Sequence, residues 1–290
     1  MNLHFDIFSG KPNPSFQIPD IIGRKVFELI KDHGLIPQTS SAGFPAQLGY
    51  RGFGLELPAD LSARYGMPLR SYFTAGLGAH RPMLAALATL TPLFTVSFAA
   101  VEIGRILKLC LDSLSAKGPA AITGSAPMVE PPMVDKPCSF EQLPYDPKPW
   151  NAPGYKNFNN CYAYATNKLA LYAKSPQPGL GSGSMYASLA GSDVAAAAKR
   201  DGAHDVNECF PESEAPRLLV ALVIWPGEDY HWYRKHPTCW GHKVGPTEAC
   251  NVDQSGKVIT DPQTCDRGKY TEFTGFMLIP KSQKVACFPS

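Results

Sequence analysis

At 290 residues, with 44% hydrophobic and 18% charged side chains, the chain can bury a core of ordinary globular density and lies outside the compositional range of disorder. That length fits two domains better than one, because single cores stop growing beyond about 250 residues. A formal net charge of +2, with 27 basic residues scattered along the chain, excludes the basic runs on which nucleic-acid binding depends.

The first residues, MNLHFDIFSG, lack a basic segment followed by an apolar one, so the mature chain is expected to start at residue 1. The expected location is the cytoplasm, or outside the cell by a route without a classical signal peptide. Leu3 to Phe8 alternates as a strand and stops at Ser9-Gly10-Lys11-Pro12-Asn13-Pro14, whose glycine and prolines cannot continue it. Ile22, Val26, Leu29 and Ile30 recur at helical spacing and predict a helix over 21–33, closed by Gly34. Leu48 to Leu57 reads as a second strand, paired with the first, and Arg51 within it suits a carboxylate partner. Residues 84–114 are strongly apolar and interrupted by Pro92. Met83 to Val101 approaches the ~20 residues of a membrane span, but Thr, Ser and the proline dilute it, and buried helix is the expectation.

These elements make residues 1–114 an N-terminal α/β domain with no assigned role. From 115 to 149 the composition shifts to Pro, Gly, Ala and Ser, the signature of an extended linker. Residues 150–290 form the second domain. There the pattern predicts a helix over 160–174, a short Ala-rich helix over 192–200, and a buried strand over 217–225. Short aromatic or β-branched strands follow at 230–235, 240–244, 258–260 and 273–279. The fold class is α+β, a helix packed on an antiparallel sheet.

Eight cysteines occur without a CxxC pair, so no structural zinc site and no cofactor are expected. Cys239, Cys250 and Cys265 lie close enough in sequence to be considered for bridging. Cys161 stands apart, because it opens a predicted helix behind Asn160. Helix N-termini and neighbouring imidazoles stabilise the thiolate a nucleophile needs. His231, in DYHWYR, and His242, in WGHK, lie eleven positions apart on successive strands, where one can act as base and the other orient it. A second assignment takes His242 as base, oriented by Asn251 or Asp253. Tyr230, Trp232 and Trp240 crowd the same segments as candidate substrate contacts, and Asn160 as an oxyanion contact.

A helix-borne cysteine in NNCYAYA, followed by a strand histidine in DYHWYR and a polar residue on the next strand, resembles the papain-like cysteine peptidases of the CHAP and NlpC cell-wall type. The resemblance covers about the last 140 residues. It implies a Cys161 nucleophile, a His231 base, a His242 orienting residue, and a peptide or peptidoglycan-like substrate. Asn160 before the cysteine and the aromatic flanks of His231 depart from that family's usual residues. The reaction read from the residues is attack of Cys161 on an amide carbonyl, with water or an amine resolving the acyl-enzyme. The rival is a non-catalytic binding or structural module, a toxin component or adhesin, with an inert Cys161. Oligomeric state stays open.

Two further segments carry weaker signals. Asn251-Val-Asp253-Gln-Ser255-Gly256 opens like a calcium loop but has Pro262 where a bidentate Glu belongs, so a turn on Ser255-Gly256 is expected. Gly179 to Ser184 reads as a flexible surface loop, a possible flap.

Overall fold

The structure is a computed structural model that describes residues 1–39, 46–74, 77–90, 98–115, 138–170 and 175–286. The chain divides into two compact units, and the short segment Ser9–Pro12 belongs to the second, away from its sequence neighbours. Pro92 and most of the Pro-rich stretch after Ser115 lie outside the described residues.

In unit 1 the expected pairing forms. Strand β1 (Asn2–Asp6) runs antiparallel to β3 (Gly52–Glu56), Leu3 opposite Leu55 and Phe5 opposite Phe53. β2 (Ser15–Gln17) and β4 (Arg70–Phe73) complete a sheet ordered β2-β1-β3-β4. Helix α1 (Asp20–Asp32) buries Ile22, Val26 and Ile30, as their spacing requires, and gives way to Gly34 at φ 63°, a backbone position that favours glycine. Helix α2 (Ala59–Tyr65) is short. The apolar stretch is two helices, α3 (Leu77–Thr89) and α4 (Phe98–Ser115), which pack on each other. α4 buries Ile103, Ile106, Leu107 and Cys110, one stripe at helical spacing. No described helix is long and apolar enough to cross a membrane. Arg51 is fully buried and finds its carboxylate on Asp6, while its guanidinium also donates to the carbonyls of Phe8 and Gly49.

Unit 2 is an antiparallel six-stranded sheet with helices against it. Its helices are α5 (Lys148–Asn151), α6 (Cys161–Ala165) and α7 (Gly191–Arg200). Its strands are β5 (His204–Asp205), β6 (Leu218–Trp225), β7 (Asp229–Lys235), β8 (Trp240–Lys243), β9 (Ala249–Cys250) and β10 (Glu272–Ile279). They are ordered β5-β10-β6-β7-β8-β9. Val220, Leu222 and Ile224 of β6, Tyr230 and Trp232 of β7, and Met277 and Ile279 of β10 join Cys161, Tyr162 and Ala165 of α6 and Val194 and Ala198 of α7 in one core. Each strand contributes alternate residues, as a pleated sheet with one face on a core must. The α+β arrangement is thus observed.

Helix α6 is far shorter than the expected 160–174. Thr166 turns its hydroxyl back to the carbonyls of Tyr162 and Ala163, and Asn167 adopts φ 55°, a left-handed conformation that ends a helix and that Asn tolerates. Residues 171–174 lie outside the described residues. Val258 makes one isolated bridge to Val252 where a strand over 258–260 was expected. Before α5, Cys138 is disulfide-bonded to Cys209, and Glu141 forms an ion pair with Arg217 at the start of β6. Gly179 to Ser184 is a pinned turn: Asp201 accepts from the backbone N–H groups of Gly179 and Ser182 at 2.7 and 2.9 Å, and from the Ser182 hydroxyl. The turn expected on Ser255-Gly256 is present, with Asp253 accepting from the Ser255 and Lys257 N–H groups.

Candidate functional site

The residues singled out by the sequence separate onto two faces of the unit 2 sheet. Successive side chains of a strand point to opposite faces. On β7, Tyr230 and Trp232 enter the core that contains Cys161, while His231 and Tyr233 leave on the other side, where both rings meet His242 of β8. The structure brings His231 and His242 together, and the Ser9 side chain beside His231 Nδ1 also hydrogen-bonds the Cys161 thiol.

Cys161 is fully buried, and its thiol donates to the Tyr230 carbonyl at 3.9 Å. Burial, and then the Asp229 carboxylate, push its pKa well above that of an ordinary thiol. This is the opposite of what a nucleophilic thiolate needs. Asn160 caps α6 as expected, accepting from the Ala163 N–H at 3.1 Å, and donates from its amide to the Gly10 and Pro176 carbonyls at 2.7 and 2.8 Å. Its side chain is committed to holding backbone segments together. Tyr230 donates to Gln177, Trp232 packs against Tyr162, and Trp240 stacks on Phe276. All three aromatics are buried, and fully burying a ring of this size contributes about 3 kcal/mol.

From Ser9 a continuous polar line runs through the two histidines. The Ser9 hydroxyl is 3.0 Å from His231 Nδ1, His231 Nε2 is 2.8 Å from His242 Nδ1, and His242 Nε2 is 2.9 Å from the Val252 carbonyl. The carbonyl can only accept, so His242 carries its proton on Nε2. In the neutral state His231 Nε2 then donates to His242 Nδ1 and His242 Nε2 to Val252, while the Ser9 hydroxyl also reaches the Asp229 carboxylate and the Tyr230 carbonyl. The group orienting His242 is a backbone carbonyl. Asn251 and Asp253 serve the adjoining turn, Asn251 through its own carbonyl to the Ile259 N–H and Asp253 through its carboxylate.

Ser9 is fixed from the other end by Asp229. That carboxylate accepts from the Ser9 N–H at 2.6 Å, the Gly10 N–H at 3.2 Å, the Lys11 N–H at 3.0 Å and the Tyr270 hydroxyl at 2.5 Å. A cradle of consecutive N–H groups is a strong carboxylate receptor. Gly10 is required there, because a Cβ would come within 2.5 Å of the Tyr230 ring.

One contact was absent from the sequence reading. The Cys250 sulfur lies 3.1 Å from His242 Nε2. Burial raises the Cys250 thiol, but the charge and hydrogen bond of His242 outweigh it and bring the thiol below its ordinary pKa. For His242 burial acts downward, and the Cys250 thiolate and the Val252 carbonyl outweigh it upward. The two together favour a thiolate–imidazolium pair. Burial thus pushes the Cys161 thiol up, whereas His242 brings the Cys250 thiol down. Among the described residues no group of His, Cys, Asp and Glu has the geometry to hold a metal ion.

No family model and no solved structure matches the chain. Among curated proteins it is similar to insoluble matrix shell protein 1 of Ruditapes philippinarum, 44% identical over 135 residues, which span 46% of this chain and 87% of that protein.

Proposed function

The chain belongs to the family of insoluble matrix shell protein 1, and from that premise we propose that it is a non-catalytic structural component of an extracellular insoluble matrix. The single observation that carries the reading is the 44% identity over most of that relative's length. Two features of the chain support it. The Cys138–Cys209 disulfide fits an oxidising, extracellular setting rather than a reducing cytosol. The side chains expected to build a catalytic cleft, Asn160, Cys161, Tyr230 and Trp232, are consumed by internal packing and hydrogen bonds.

A second reading, an amide hydrolase or acyltransferase with Cys161 as nucleophile, draws support from the His231–His242 pair and the Asn160 cap. It requires Cys161 to ionise in a buried site, against the direction in which its surroundings push it. On the structural reading, an antibody to the chain finds it in the residue left insoluble after denaturant extraction of the secreted material of the organism that makes it. Recovery wholly from the soluble intracellular fraction would contradict the reading.

A further inference from the structure

We propose that Cys250 is an exchange site, a thiolate held by His242 that attacks a disulfide on another chain and joins this protein to it covalently. The geometry carrying this is the 3.1 Å contact between Cys250 Sγ and His242 Nε2, with His242 Nδ1 backed by His231 at 2.8 Å and His231 by Ser9 at 3.0 Å. Cys250 is only half-buried, on the short strand β9 at the edge of the sheet, whereas Cys161 and Cys239 are buried.

The step balances without an external oxidant. The Cys250 thiolate forms a bond to one sulfur of the incoming disulfide, the S–S bond of that disulfide breaks, and the departing thiolate takes the Nε2 proton of the His242 imidazolium. One disulfide is consumed and one is made. His242, now neutral, holds its remaining proton on Nδ1 and regains the resting Nε2–H form, which donates to the Val252 carbonyl, by proton exchange with water.

Glu248 acts on Cys250 and Asp253 on His242, both as carboxylates. From the elements packed around them, Tyr145, Tyr164 and Tyr233 act electrostatically with Cys250, and burial raises all three phenols, Tyr164 to about 12, so they stay neutral near neutral pH. Cys265 is the internal contrast: it is also half-buried, but burial pushes its thiol up to about 12.

That the disulfide belongs to a chain of an extracellular matrix rests on the structural reading above; the reactivity of Cys250 does not. The test uses the full chain and oxidised glutathione at pH 6.5, with mixed disulfides located by peptide mapping. An unperturbed thiol is about 1% thiolate at that pH, and lowering its pKa raises the thiolate fraction by at most about 100-fold, which its lower nucleophilicity reduces to at most about 10-fold in rate. Cys250 is therefore expected to react faster than an unstructured cysteine peptide, by up to about 10-fold, while Cys161 and Cys265 stay unmodified in the folded chain. His242→Gln should remove that advantage at pH 6.5 and leave the rate near normal at pH 9. Should that variant not fold, the pH profile of the natural chain decides: a midpoint for Cys250 below ~8.5 supports the exchange site, and one at or above it overturns the inference. Reaction at Cys250 no faster than the peptide at pH 6.5 also overturns it and leaves the matrix reading standing. Recovery of the chain from the intracellular fraction alone would overturn the matrix reading and leave Cys250 reactive.

Discussion

Replacing Asp229 by alanine is expected to destabilise unit 2 by about 4 kcal/mol, because it leaves the N–H groups of Ser9, Gly10 and Lys11 and the Tyr270 hydroxyl without their acceptor. A buried donor stripped of its partner costs about 1–3 kcal/mol, and Ser9, Asp229 and Tyr270 are all fully buried. Asp229→Asn keeps one acceptor oxygen but turns an amide N–H₂ toward donors, so it should fall between alanine and the natural residue. Trp150, Trp225, Trp232 and Trp240 are the four tryptophans of the chain and all belong to unit 2, so tryptophan fluorescence in a denaturant titration reads this unit alone. A loss under 1 kcal/mol for the alanine variant would mean that the carboxylate does not hold the Ser9–Lys11 segment.

The second large effect belongs to the Cys138–Cys209 disulfide, which joins residues 71 apart. Closing a loop of that length removes unfolded-state entropy worth about 4 kcal/mol at 25 °C. The double variant Cys138→Ser/Cys209→Ser should lose about that much in the same titration, and the natural chain in a reductant should match it. The Glu141–Arg217 ion pair fastens the same segment, but it is partly exposed and contributes far less. A double variant as stable as the natural chain would show that Glu141 and its neighbours hold this segment without the bridge.

What the sequence could reveal followed the range of the interactions involved. The pairing of 3–8 with 48–57, the helix at Ile22, Val26 and Ile30, and the β6 and β7 strands were legible because burial repeats with a local period. The length of α6 was not, since Cys161 to Lys174 carries good helix formers until Thr166 and Asn167, and only their side-chain and left-handed conformations end it. Pairing of His231 with His242 was readable from two adjacent strands. How Cys161 stands to them was not readable: in DYHWYR, residues 230 and 232 face the core and 231 does not, and the Ser9 side chain links the Cys161 thiol to His231. The neighbouring Cys250 had a signal, eight residues beyond His242 and across a short turn, where β8 and β9 pair residue 242 with 250. The Ser9 contribution had no local signal at all, because it arrives from a segment more than 200 residues away in sequence.

Whether Cys161 is core or nucleophile is read most directly by alkylating the native chain with iodoacetamide across pH 6–9 and mapping each cysteine, alongside the His231→Ala variant. Packed as it is, Cys161 should label only as fast as unit 2 unfolds, with no acceleration toward neutral pH and no dependence on His231 beyond any change in stability. Rapid labelling of Cys161 in the folded chain, with a midpoint below ~8.5 and a rate that collapses in His231→Ala, would contradict the structural reading and restore a cysteine enzyme.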